Sequence, residues 1–158
     1  CDQWHYGDNA VIFGDAAHAI VPFFGQGMNA SFQDCVVLNR LINKYEGNWS
    51  KIFNTFSSQH VKNGHAIANM ALENYVEMRD SVNDPLYLKT RELELSLEKK
   101  FPNKFIPRYS MVSFHQLSYD KVYKRGKFQF KLMSDFLSKK INQRELYKKI
   151  ESHLDPII

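Results

Sequence analysis

The apolar positions open with a short unbroken run, Ala10-Val11-Ile12-Phe13, closed by Gly14-Asp15. Such a run bounded by a turn signal predicts a buried strand over Ala10 to Gly14. From Asp15 to Gln26 the periodicity is lost, and Pro22 and the flanking glycines predict a loop, with a helical turn around Ala16 to Ala19. Met28 to Tyr45 returns to helical spacing. Phe32, Cys35, Val36, Leu38, Leu41 and Ile42 give it a broad apolar face, and Gly47-Asn48 ends it. Trp49 to about Arg79 is predicted helical in one or two pieces, with Gly64 weakening its middle. Asn83-Asp84-Pro85 predicts a turn, with Asp84 as N-cap of a helix over Leu86 to Lys100 whose stripe is Leu86, Leu93 and Leu97. Pro102 and Pro107 make Phe101 to Tyr109 a loop, and Met111 to Phe114 is a short extended candidate. Tyr119 to Lys139 and Gln143 to His153 are predicted helices. The chain is therefore expected to be mostly α, with a strand-loop-helix unit over residues 1–47 and a helical region over 48–158.

Composition changes this picture little. A length of 158 residues with 44% hydrophobic content suits one domain, or one lobe of a larger one, with a packed core. The formal charge of +4 is concentrated late in the chain, among the lysines and arginines of Tyr119 to Lys149. A basic helix with aromatics can touch a membrane or nucleic acid, but a solvated basic face over an apolar stripe is the expectation here. Cys1 and Cys35 make no disulfide framework or metal spacing, which fits a reducing compartment. No apolar run is long enough to span a bilayer, so a cytoplasmic location without a transmembrane segment or a nucleic-acid partner is expected.

The candidate chemistry gathers between the strand and the first long helix. Gly25 and Gly27 let the backbone approach a ligand closely. The helix start at Gly27-Met28-Asn29 offers unpaired N–H groups and the positive end of a dipole. Asp15, at the strand's carboxyl end, suits a hydroxyl partner. His18 is either a base or a structural hydrogen-bonding residue, and the structural role is expected. No metal site is expected. Further on, Ile67, Met70, Asn74 and Met78 share a helical stripe with Glu77 on its shoulder. An asparagine in an apolar stripe needs a partner, which a ligand carboxylate or a neighbouring backbone carbonyl could supply.

GDAAH at Gly14 to His18 followed by PFFGQGMNA at Pro22 to Ala30 resembles the second flavin-binding motif of the single-component aromatic hydroxylases. Those enzymes use FAD and NAD(P)H. ENYVEMRD at Glu73 to Asp80 and FIPRYSMVSF at Phe105 to Phe114 narrow the resemblance to members that hydroxylate L-kynurenine with NADPH and O2. The resemblance implies an α/β FAD-binding domain, of which this chain would supply the last strand-loop-helix, followed by a helical region covering the substrate pocket. It implies cofactor contacts at Gly14, Asp15, Gly25, Gly27, Met28 and Asn29, with Asp15 at the ribityl chain. It implies that Pro22, Phe23, Phe24 and Gln26 pass beside the flavin where the aromatic ring reacts. It implies substrate contacts at Asn74, Glu77, Met78 and Tyr109, with Asn74 and Tyr109 at the amino-acid carboxylate. The family's G-x-G-x-x-G fingerprint is absent here. The chain is therefore expected to be the C-terminal portion of a longer enzyme, inactive without its N-terminal remainder. The alternatives are another aromatic-acid hydroxylase of this build and a non-catalytic basic binding module.

Overall fold

A computed structural model describes residues 1–81 and 84–157. The chain forms two compact units, Cys1–Val76 and Glu77–Ile158.

In the first unit, β1 (His5–Tyr6) pairs antiparallel with β2 (Ala10–Val11) around a turn at Gly7. The short helix α1 (Asp15–His18) and a 3₁₀ turn over Pro22–Phe24 lead into α2 (Gly27–Tyr45). The long helix α3 (Trp49–Val76) follows and packs along α2. The core is Trp4, Ala17, Leu41, Ile52, Phe53 and Phe56. Two expectations need correction here. The strand is only Ala10–Val11, and Ile12 and Phe13 are exposed rather than buried, because the ladder of β1 and β2 ends before them. The buried face of α2 is also turned from the expected one. Ala30, Asp34 and Leu41 are buried, whereas Phe32 and Val36 are largely exposed.

Gly64 does not break α3. A Cβ at that position would lie 2.7 Å from the Trp4 indole, so the helix keeps a glycine to admit the buried ring. Trp4 itself is fixed by its indole N–H, which donates to the Cys1 carbonyl at 3.1 Å, and by Ser57 Oγ on its backbone N–H, also at 3.1 Å.

The second unit begins with a π-helical turn over Glu77–Ser81. It continues with α4 (Pro85–Lys100), α5 (Arg108–Phe114), α6 (Tyr119–Leu137) and α7 (Gln143–His153). Of the expected turn, Asn83 lies outside the described residues. Asp84 caps α4 through a bond from the Leu86 N–H at 2.9 Å. The core is Leu97, Phe105, Leu132, Met133, Leu146 and Ile150, with Leu93 partly buried against it. Leu86, the first member of the expected α4 stripe, is exposed. The segment expected as an extended piece is helical instead. Pro107 stands in extended conformation as the N-cap of α5, where its missing N–H costs nothing, and Met111 is buried from one turn further on. The basic helix α6 buries Val122, Leu132 and Met133. No helix among the described residues is long and apolar enough to cross a membrane.

The division into compact units falls after Val76. The reason is the packing of α3 along α2, which draws the helix expected in the later region into the first unit.

Candidate functional site

Gly14 ends the run from β2 with φ at 59° and ψ at −145°, a conformation that side-chain-bearing residues rarely adopt. Its carbonyl accepts from the Ala17 and His18 N–H groups, both at 2.9 Å, which starts α1 at the exposed Asp15. A Cβ on Gly14 would lie 3.2 Å from Ser31 Oγ, so the turn runs close against α2.

A buried carboxylate holds this joint together. Asp34 of α2 accepts from the Gly14 N–H at 2.9 Å and meets His18 Nε2 at 2.5 Å through the same oxygen, Oδ2. Its other oxygen, Oδ1, meets His60 Nδ1 of α3 at 2.9 Å. Burial alone would raise the Asp34 carboxyl. The bonds from His18, His60 and the Gly14 N–H outweigh burial and hold it well below the usual carboxylate range. Asp34 is thus ionised and accepts only, so both ring nitrogens donate. For His18, burial alone would lower the imidazole. The bond and charge of Asp34 outweigh it and leave the group raised. The ring of His60 stacks on Phe56 with centroids 4.9 Å apart, and that of His18 lies 5.2 Å from Trp4. His18 thus has the buried hydrogen-bond partner that a structural role calls for.

The 3₁₀ turn sends its two phenylalanines apart. Phe24 is buried, while Phe23 is half-exposed with its ring 4.4 Å from that of Tyr75. Gly25 closes the turn in the left-handed region, its N–H donating to the Pro22 carbonyl at 3.0 Å. Asn74 Nδ2 donates to the Phe23 carbonyl at 2.6 Å. Of the two partners the sequence leaves open for Asn74, the structure thus supplies a backbone carbonyl.

Gln26 is buried, and its Oε1 accepts from Asn29 Nδ2 at 3.1 Å. The first helical bond of α2 runs from the Ala30 N–H to the Gln26 carbonyl at 2.9 Å. The amides of Gly27, Met28 and Asn29 precede it and have no partner among the described residues. A Cβ at Gly25 or Gly27 would meet nothing within 4 Å. The helix start thus presents three donors beside open space, and Met28 and Asn29 are exposed there. That arrangement fits an anionic or carbonyl-rich planar edge.

Glu77, Met78 and Tyr109 belong to the second unit. Met78 and Tyr109 are exposed. The regular α-helical spacing of α3 ends at Val76, and Met78 sits in the π-helical turn that follows. Glu77 lies 4.0 Å from Arg108 Nη2. Arg108 crosses α6 at Gly126, where a Cβ would come within 2.9 Å of its Cδ. Beside this pair, burial raises the Glu94 carboxyl, Arg91 opposes that shift, and the Glu77 charge adds to it. Burial and the neighbouring Glu77 likewise push the Tyr87 phenol up. Neither Glu94 nor Tyr87 stands out in the sequence. Among the described residues no group of His, Cys, Asp and Glu is arranged to hold a metal.

Residues 1–70, nearly the whole first unit, match the family described as FAD binding domain. Over 123 residues, 78% of this chain, the sequence is 50% identical to a kynurenine 3-monooxygenase of Myxococcus xanthus, of which it covers 26%. It is 46% identical over 128 residues to that of Stenotrophomonas maltophilia, covering 81% of this chain and 28% of the relative. To the enzyme of Sus scrofa it is 39% identical over 137 residues, covering 87% of this chain and 29% of the relative. The chain thus spans less than a third of the length of these relatives. It carries an FAD binding domain match over residues 1–70, and over most of its length it is similar to kynurenine 3-monooxygenases.

Proposed function

We propose that this chain forms part of an FAD-dependent monooxygenase that uses NADPH and O2 to convert L-kynurenine to 3-hydroxykynurenine. One observation carries the flavin assignment. The three amides of Gly27, Met28 and Asn29, without a partner among the described residues and with open space at Gly25 and Gly27, lie inside the segment matched to an FAD binding domain. The likeness to kynurenine 3-monooxygenases supports the substrate.

Bound FAD would supply the redox chemistry, accepting a hydride and activating oxygen. The chain's own work is holding and excluding. The amides of Gly27 to Asn29 would donate to the flavin's pyrimidine edge, and their fixed dipoles would favour negative charge there. Asp15 would accept from a ribityl hydroxyl beside the Gly14 backbone, and the bare Gly25 and Gly27 leave room for the cofactor. Pro22 and Phe23 present an apolar face to the aromatic substrate and keep water from the reacting carbon. Phe24 anchors the turn from below. Gln26 would donate its amide N–H to a substrate carbonyl while its oxygen stays with Asn29. Asn74, Glu77, Met78 and Tyr109 contribute to binding the amino-acid substrate, Asn74 and Tyr109 toward its carboxylate. The substrate's own aniline nitrogen activates its ring, so no side-chain base is required.

The test uses the intact protein with its full N-terminal sequence. L-kynurenine should accelerate NADPH oxidation and yield 3-hydroxykynurenine. Bound FAD without any hydroxylated kynurenine would replace this substrate with another aromatic acid. Salt-sensitive binding to anionic lipid or nucleic acid with no flavin bound would favour a basic binding module instead.

A further inference from the structure

One buried carboxylate ties together the two halves of the proposed cradle. Asp34 lies on α2, whose first amides are assigned to the flavin edge. It accepts from the backbone N–H of Gly14, the residue before Asp15, and from His18 at the end of α1. It is 3% exposed, and its second oxygen is taken by His60 of α3. Its partners are the protein groups Gly14, His18 and His60, and none of the roles assigned to the flavin site falls to it. A carboxylate is tolerated at such depth only when donors surround it, and charge-assisted bonds are strong and directional. Ser31, the other close neighbour of Gly14 on α2, offers packing at 3.2 Å to a hypothetical Cβ rather than a bond. The register between the Asp15 turn and the start of α2 therefore depends on the two Oδ2 bonds. The Oδ1 bond to His60 ties Asp34 to α3 and makes no direct bond to Gly14 or α1.

We propose that Asp34 is a positioning residue for FAD. Through Gly14 and His18 it fixes where Asp15 stands relative to the amides of Gly27 to Asn29, and it sets flavin affinity without touching the flavin. The inference rests on the flavin assignment made above.

Three variants of the intact protein separate positioning from simple stability. Asp34→Asn keeps the shape but replaces one acceptor oxygen with a donor, which then confronts N–H groups. His18→Leu removes the donor on the α1 side. His60→Leu removes the donor on the α3 side with the same loss of one bond to Asp34. Each apoprotein is titrated with FAD at a temperature well below its melting midpoint. The visible circular dichroism of the flavin is recorded at saturation. Asp34→Asn and His18→Leu should raise the FAD Kd at least tenfold and alter the bound-flavin spectrum. His60→Leu should lower the melting midpoint while keeping Kd within about threefold of wild type, with an unchanged spectrum. If Kd instead follows the melting midpoint across all variants, Asp34 is merely structural and the inference is overturned. If Asp34→Asn does not fold, the contrast between His18→Leu and His60→Leu decides alone. A wild-type protein that binds no FAD overturns the flavin assignment together with this inference. A wild type that binds FAD, with no separation between His18→Leu and His60→Leu, overturns the inference only.

Discussion

Asp34 and His18 make stability depend on pH in a definite sense. The folded chain raises His18 above its ordinary value, so that contribution is complete below about pH 6.5 and is lost as pH rises through the raised value. The folded chain lowers Asp34, so its contribution is complete above about pH 4 and is lost as pH falls toward its depressed value. The melting midpoint of the intact protein should be highest between these limits. Asp34→Asn should flatten both flanks, and an unchanged profile in that variant would place the pH dependence elsewhere. Gly64 gives a second prediction. Alanine in a helix interior is normally worth up to about 1 kcal/mol over glycine. Here its Cβ would press to 2.7 Å on the Trp4 ring, and overpacking costs about 1–3 kcal/mol. Gly64→Ala should therefore destabilise, read as a lower denaturant midpoint, and a stabilised variant would mean the indole moves aside freely. At this scale the GD motif residues were visible in the sequence, but Asp34 was not. Its signal was present. Ala30, Asp34 and Leu41 lie on one face of α2, and an acid on a buried face needs donors. The large apolar residues Phe32 and Val36 pointed to the wrong face.

At the scale of elements, the 3₁₀ turn and α3 are joined by Asn74. Its bond to the Phe23 carbonyl at 2.6 Å holds the segment that carries the proposed substrate-facing side chains. Asn74→Ala removes this bond and the proposed carboxylate contact together. In the intact enzyme it should raise KM for L-kynurenine at least tenfold while flavin content stays near wild type. Equal loss of flavin would show that Asn74 supports the fold rather than the substrate. A plainer test lies in α7, where Asn142 and Glu145 form a reciprocal capping box. Asn142→Ala should cost about 1 kcal/mol in chemical denaturation without altering FAD binding, and a larger effect on flavin than on stability would contradict this. Helices with strong periodicity and clear caps were legible from sequence. The range of α7 is the expected one, and that of α6 differs only at its end. The misjudged pieces were short. Arg108 to Phe114 is too brief for periodicity to separate strand from helix, and Pro107 signalled a boundary rather than an extended run.

At the scale of the molecule, the two units differ in how much the sequence discloses. The first carries the family match, and its turn chemistry follows from residues that can be named in the sequence. The second has a well-packed core, yet its proposed contribution rests on Glu77, Met78 and Tyr109, of which Met78 and Tyr109 are exposed. Helical periodicity defines a core well but does not say what an exposed tyrosine faces. The part of the account that stands on geometry is therefore the start of α2. The most direct measurement is an experimental structure of the intact protein with FAD bound. The backbone nitrogens of Gly27, Met28 and Asn29 should lie at about 2.7–3.2 Å from acceptors on the isoalloxazine edge, with Asp15 at the ribityl chain. A flavin bound elsewhere, or those amides bonded to other protein groups, would contradict the account.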